Sequence, residues 1–302
     1  MNNLNKNLKI FSILTTIGMI IVLLQGALVT KTESGQGCGD SWPLCHGQVI
    51  PESITTLETI IEYSHRFVSG ILGIMVIILA IWMWRKLPHV RETKFLAIIA
   101  VLFIIFQGLL GAAAVMWGQS SAVLALHFGF SLVSFASVLL LTILVFEEGK
   151  PSRVSATKIT TQFRSFIYFV FTYLYIVVYT GALVRHTDSS LACAGWPLCN
   201  GQIIPPLRGN IAVQFGHRVA AAVMFLVILA LLVHVYRHYK EEIALRYTVL
   251  ISFILVTIQV LSGAYVVFTA MSLFSSMLHA FIITCLFGSI SYLLMLATRS
   301  KS

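Results

Sequence analysis

Apolar residues run in long unbroken stretches along this chain, and polar residues gather in the short connections between them. Eight such stretches stand out, near 9–29, 62–84, 94–116, 122–146, 163–184, 212–236, 246–268 and 272–297. Each is long enough for an α-helix, rising 1.5 Å per residue, to cross the hydrocarbon of a bilayer. A barrel of strands would instead show segments of about ten residues alternating apolar and polar. Backbone groups in lipid find no water to bond, so continuous runs of this length predict helices. The pattern predicts an all-α membrane protein of eight transmembrane helices. Lys6 and Lys9 ahead of the first run resemble a signal-peptide start. The run is too long for that role and no small-residue cleavage site follows, so it is expected to stay as the first helix.

Composition strengthens this reading. The 302 residues are 58% hydrophobic and 10% charged, where soluble domains carry about 25% charged residues. The charges are also placed unevenly. Lys6 and Lys9, then Arg85, Lys86, Arg91 and Lys94, then Lys150, Arg153, Lys158 and Arg164, then Arg237, Lys240 and Arg246, and last Arg299 and Lys301 fall at alternate connections. The intervening connections are poor in positive charge. Cytoplasmic loops carry the excess of Lys and Arg, so both termini are expected in the cytoplasm. This bias accounts for the net charge of +9 without a nucleic-acid partner.

The chain repeats itself. "GALVTKTESGQGCGDSWPLCHGQVIP" at 26–51 is answered by "GALVRHTDSSLACAGWPLCNGQIIP" from 181. "EYSHR" at 62–66 is answered by "QFGHR" at 214–218, "QGLLGAAAV" at 107–115 by "QVLSGAYVV" at 259–267, and "LALHFG" at 124–129 by "SMLHAF" at 276–281. The repeat predicts two tandem four-helix units, 1–149 and 163–302, joined by a cytoplasmic linker at 150–162. Four helices is an even number, so both units point the same way, with a pseudo-two-fold axis along the membrane normal.

Function must come from polar residues inside the spans. Of nine histidines, His89, His234 and His238 fall at cytoplasmic helix ends and read as interfacial. His46 and His186 lie in outer loops without a histidine counterpart. His65 and His127 sit just inside the outer ends of the second and fourth helices, and His217 and His279 repeat them in the sixth and eighth. Two histidines on two helices can ligate a heme iron from both faces. The other reading is structural or proton-relay histidines. Zinc fits poorly, because it wants three or four protein ligands. Gly70, Gly73, Gly108, Gly111, Gly129 and Gly263 would admit a flat heme, or serve plain helix packing. Arg66 and Arg218 follow two of the histidines. They suit heme propionates, or reach to the interface.

The halves differ at one telling position. Glu62 lies one helical turn before His65, and its counterpart is Gln214. A carboxylate beside a cofactor can move protons or stabilise developing positive charge; an amide cannot take the first role. The plainer reading is a favourable acid at a helix start. Cys38 with Cys45, and Cys193 with Cys199, fall in loops assigned to the oxidising side, where disulfides persist. Each pair reads as a staple closing a lid over its bundle, with a redox role for Cys38 and Cys45 left open. Cys285 reads as a small buried apolar residue.

These residues carry a resemblance. "GALVTKT", "GCGDSWPLCHG", "EYSHR", "LALHFG", "GALVRH", "WPLC" and "GHR" together resemble the bacterial heme A synthases of the Gram-positive type, over essentially the whole chain. The resemblance implies an eight-helix membrane enzyme that oxidises the C8 methyl of heme O to the formyl group of heme A. It implies that His65 and His127 ligate the substrate heme, that Glu62 is the catalytic carboxylate and that His217 and His279 hold a heme b. It implies disulfides Cys38–Cys45 and Cys193–Cys199. A heme O synthase and an electron acceptor are expected partners. The alternative is a diheme b-type cytochrome exchanging electrons with quinol. A tandem-repeat transporter is a third reading; it would need broken helices at the midplane, and no clear pair of these is visible.

Overall fold

The computed structural model describes residues 3–51, 56–118, 120–148 and 159–299. Among them are eight helices: α1 (Asn3–Lys31), α2 (Leu57–Lys86), α3 (Arg91–Met116), α4 (Ser121–Glu147), α5 (Thr161–His186), α6 (Gly209–His238), α7 (Ile243–Phe268) and α8 (Leu273–Arg299). All eight are long and apolar enough to cross a membrane. Every predicted span has its helix, and each helix runs beyond the apolar stretch at one end or both. Hydropathy marks the part in hydrocarbon, whereas the helix continues through the headgroup region, where polar residues are soluble. So α2 begins at Leu57, after an N-cap in which the Thr56 side chain accepts a hydrogen bond from the Thr59 backbone N–H. It ends on Arg85 and Lys86, cations that suit the negative end of the helix dipole.

The chain forms two compact units, Met1–Glu148 and Gly149–Ser302. Most of the expected linker at 150–162 lies outside the described residues. In the first unit α1 packs on α2 and α4, and α3 packs on the same two, closing a ring of four helices. In the second unit α5 and α7 each pack on α6 and α8. Lipid tails are as apolar as leucine, so burial from water does not drive helices together in a bilayer; close packing and hydrogen bonds between helices do. Gly18 of α1 meets the Leu72 side chain of α2, where an added Cβ would lie 2.5 Å from Leu72 Cδ1. The Thr16 and Thr142 hydroxyls bond between α1 and α4 at 2.8 Å, and Ser252 bonds Ser289 between α7 and α8 at 2.8 Å. The outward faces carry exposed Ile17, Ile74, Phe95, Phe169, Leu226 and Ile254, as a lipid-facing surface requires.

The loop after the first helix of each unit is the least regular part and is built the same way twice. Cys38 is bonded to Cys45 and Cys193 to Cys199. In each loop the second cysteine pairs in a short antiparallel bridge, Cys45 with Gln48 and Cys199 with Gln202. The turn between them needs left-handed backbone at two residues, His46 and Gly47 (φ 52° and 80°) in one loop and Asn200 and Gly201 (φ 53° and 77°) in the other. Asparagine tolerates that conformation better than most residues, so His46 occupies a turn position whose requirement is conformational.

Candidate functional site

The second and fourth helix of each unit carry the four histidines within the spans, each half-buried. His65 is the eighth residue beyond the start of α2 and His217 the eighth beyond the start of α6; His127 and His279 are each the sixth beyond the starts of α4 and α8. At 1.5 Å per residue these depths are about 12 Å and about 9 Å. The α2 and α6 histidines therefore lie a turn further in than the hydropathy boundaries suggest. His65 and His127 are close enough to interact electrostatically, and so are His279 and His217.

Each imidazole rests on a glycine of the preceding helix. A Cβ added at Gly26 would lie 3.4 Å from His65 Cε1, at Gly111 3.5 Å from His127 Cε1, at Gly181 3.1 Å from His217 Cε1 and at Gly263 3.3 Å from His279 Cε1. Four rings seated on four glycines explain why the GALV segment occurs twice: its glycine, Gly26 or Gly181, is the seat. The sequence reading included Gly111 and Gly263 but missed this pair, although the repeat itself held the signal. Gly70 and Gly108 are exposed, and a Cβ at either would meet nothing within 4 Å, so helix packing does not require them.

The polar surroundings of the rings differ between units. In the second unit Nδ1 of His217 lies 2.9 Å from the Thr180 hydroxyl, and Nδ1 of His279 lies 2.8 Å from the Ser262 hydroxyl. The Gln259 side-chain amide lies 3.0 Å from Nε2 of His279. In the first unit Nδ1 of His65 and Nδ1 of His127 are buried with no hydrogen-bond partner among the described residues. The Gln107 backbone faces the His127 ring. Gln25 Oε1 and Ser69 Oγ are also buried there without partners.

Glu62 and Arg66 tie the stapled loop to α2. Glu62 is 3% exposed. Its Oε2 accepts the Cys38 backbone N–H at 2.7 Å, and its Oε1 accepts from Nε of Arg66 at 3.1 Å and also from Nη2 of Arg66. Nη1 of Arg66 donates to the carbonyls of Ser41 and Leu44, both at 2.6 Å. The second unit copies the anchor with an amide. Gln214 Oε1 accepts the Cys193 N–H, and Gln214 Nε2 donates to the Ser190 carbonyl. Arg218 donates to the carbonyls of Leu198 at 3.2 Å and Cys193 at 3.0 Å. Of the five N–H donors of a guanidinium, Arg66 thus uses four and Arg218 two. Both arginines donate to loop carbonyls and hold the loops in place, and Arg218 keeps more donors for a further anion.

Among the described residues no group of three or more His, Cys, Asp or Glu could hold a metal ion. A protein-only zinc cage needs at least three such ligands, whereas an iron porphyrin brings four nitrogens and asks for one or two imidazoles. Paired rings seated on glycines are a donor set that fits that group.

The comparisons with known proteins agree with this chemistry. The model of the COX15-CtaA family, described as cytochrome oxidase assembly protein, matches residues 9–291. A heme A synthase of Geobacillus kaustophilus is 54% identical over 298 residues, covering 99% of this chain and 94% of that protein. A heme A synthase of Halalkalibacterium halodurans is 54% identical over 299 residues, covering 99% and 100%. One from Bacillus cereus is 51% identical over 294 residues, covering 97% and 94%.

Proposed function

Because the chain belongs to the COX15-CtaA family of cytochrome oxidase assembly proteins, we propose that it works as a heme A synthase, oxidising the C8 methyl of heme O to a formyl group. The observation that carries the reading is the likeness to heme A synthases along nearly the whole chain, met by a paired-histidine chemistry suited to iron porphyrins. In this reading the first unit takes heme O as substrate on His65 and His127. The second holds a heme b on His217 and His279, whose chemistry when bound is one-electron acceptance and release. Arg218, with donors to spare, is the better placed arginine for a propionate; Arg66 acts through the loop. Both termini are cytoplasmic, and the stapled loops cap the outer ends of the bundles.

The substrate's methyl reaches the aldehyde in two rounds. Each adds one water oxygen and removes two electrons and two protons, giving the hydroxymethyl and then the gem-diol, which loses water. The sum is one methyl and one water becoming one aldehyde, four protons and four electrons, the electrons leaving to an external electron acceptor, a partner this reaction requires. If His65 and His127 both hold the substrate heme, they would occupy its iron, and water would be the fitting oxygen source. Glu62 supplies the negative charge beside the reacting edge and is the group to which a proton can pass. The lid loop, anchored through Glu62 and Arg66 to α2, limits water to what the reaction uses. A heme O synthase is the partner class that supplies the substrate, since free heme is poorly soluble.

The test has two parts. Hemes extracted from the purified protein and separated by chromatography should include heme b together with heme O or heme A; two equivalents of heme b alone would point to a diheme cytochrome. Glu62→Gln should keep its hemes and lose conversion to heme A. Undiminished heme A from that variant would end the proton-handling role of Glu62.

A further inference from the structure

The hydrogen bonds around the second unit's histidines bias which ring nitrogen carries the proton. The Thr180 hydroxyl donates its only hydrogen to the Val177 carbonyl at 2.7 Å. With its hydrogen on that carbonyl it faces His217 as an acceptor, and this pairing favours a proton on Nδ1 of His217. The Ser262 hydroxyl is placed in the same way, donating to the Gln259 carbonyl at 2.8 Å, which favours a proton on Nδ1 of His279. A neutral imidazole protonated at Nδ1 has its lone pair at Nε2. The Gln259 amide nitrogen lies 3.0 Å from Nε2 and 3.3 Å from Nδ1 of the same His279 ring, so it does not distinguish the two nitrogens.

The first unit lacks both hydroxyls. The residue before the glycine seat is Thr180 in α5 but Gln25 in α1, and Ser262 in α7 but Leu110 in α3. Nδ1 of His65 and of His127 has no side-chain hydroxyl beside it and no partner within hydrogen-bond geometry among the described residues; the Gln107 backbone, with no serine to occupy it, faces the His127 ring. The glycine seats follow the same division, at 3.1 and 3.3 Å in the second unit against 3.4 and 3.5 Å in the first. The second unit's rings thus each have a hydroxyl partner that the first unit's rings lack.

We propose that Thr180 and Ser262 are positioning residues that lock His217 and His279 in the Nδ1–H tautomer for permanent heme retention, and that Gln25 and Leu110 leave His65 and His127 loosely held so that a heme can enter and leave the first unit. The inference rests on the reading of the four histidines as heme ligands and deepens it. A second hydrogen bond on a metal-bound histidine fixes its orientation and raises its basicity, and its loss typically costs 10–100-fold in metal affinity. A substrate site must release its product, so the same bond there would be a handicap.

The full-length protein, purified in detergent with its hemes, supplies the test. Transfer of heme to excess apomyoglobin reports the dissociation rate, and spectroelectrochemistry reports the midpoint potential. Thr180→Val with Ser262→Ala should release the second unit's heme about tenfold faster. A less basic ligand pair should also shift the ferric-to-ferrous affinity ratio about threefold, raising the potential by about 30 mV for one electron. Thr180→Ser, which keeps the acceptor, should restore the wild-type rate and potential. Conversely, Gln25→Thr with Leu110→Ser, made in a protein lacking His217 and His279 and loaded with hemin, should slow heme release from the first unit. Wild-type rates and potentials in Thr180→Val/Ser262→Ala would overturn the proposal while leaving the ligand reading intact. A wild-type protein without a low-spin bis-histidine spectrum would overturn the ligand reading and this inference with it.

Discussion

At the scale of single residues, Glu62 has, under the proposed function, a chemical role beside its structural one, and one substitution can separate them. Its carboxylate accepts the Cys38 N–H and pairs with Arg66, and both side chains are nearly buried, 3% and 10% exposed. Removing one partner of a buried ion pair leaves the other uncompensated, at a cost of about 3–5 kcal/mol. Glu62→Ala should therefore loosen the whole loop and lower the melting temperature as well as abolish oxidation. The second unit already holds the equivalent cysteine N–H with Gln214. Glu62→Gln should accordingly keep the Cys38 anchor while losing the charge pair, and differential scanning should place its melting temperature between those of the wild type and Glu62→Ala. The glycine seats give a graded test of the same kind. A methyl at Gly181 would come within 3.1 Å of the His217 ring, against 3.5 Å between Gly111 and His127. Gly181→Ala should displace its ring and weaken heme binding in the second unit, while Gly111→Ala should be tolerated; heme content of the two purified variants decides.

At the scale of elements, the helices were legible because lipid demands long apolar runs, and eight runs gave eight helices. Their ends were not, because a helix keeps its hydrogen bonding after its residues turn polar; that is why Leu57–Ile61 of α2 fell outside the expected span and His65 sat deeper than expected. The disulfide loops were legible from their repeated cysteines. The way they are fastened was not. Arg66 and Arg218 have a charge that suits propionates, and only the fold shows it directed at loop carbonyls. Thr180 and Ser262 were overlooked for a similar reason: a hydroxyl in a span usually bonds its own helix, and only the neighbouring ring gives these two another task. The first loop's seat on α2 is tight at Gly37, where a Cβ would lie 2.4 Å from the Glu58 backbone. Neither backbone can yield easily, and overpacking of this kind costs about 1–3 kcal/mol. Gly37→Ala should raise the rate of proteolysis within 32–51 in detergent. Cys38→Ser with Cys45→Ser should act in the same direction by about 2 kcal/mol, as expected for closing so short a loop.

At the scale of the whole molecule, duplication has produced two rings of four helices, each closed by contacts among its own members. The histidines of each pair come from α2 and α4, or from α6 and α8, and their glycine seats from α1 and α3, or from α5 and α7. Every residue argued to hold a heme in one ring therefore belongs to that ring. Such a design can let one copy diverge toward turnover while the other retains its cofactor, and the differences at Glu62/Gln214, Gln25/Thr180 and Leu110/Ser262 are of that kind. It follows that the two heme sites should fail separately. His217→Ala should remove heme b and leave a first unit that still binds heme O. His65→Ala should leave heme b in place with its spectrum unchanged while heme O and heme A vanish from the extract. Neither variant should make heme A, the first for want of an electron path and the second for want of a seated substrate. Quantifying each heme per protein after purification separates these cases, and a single substitution that emptied both units would show that the rings do not hold their hemes independently.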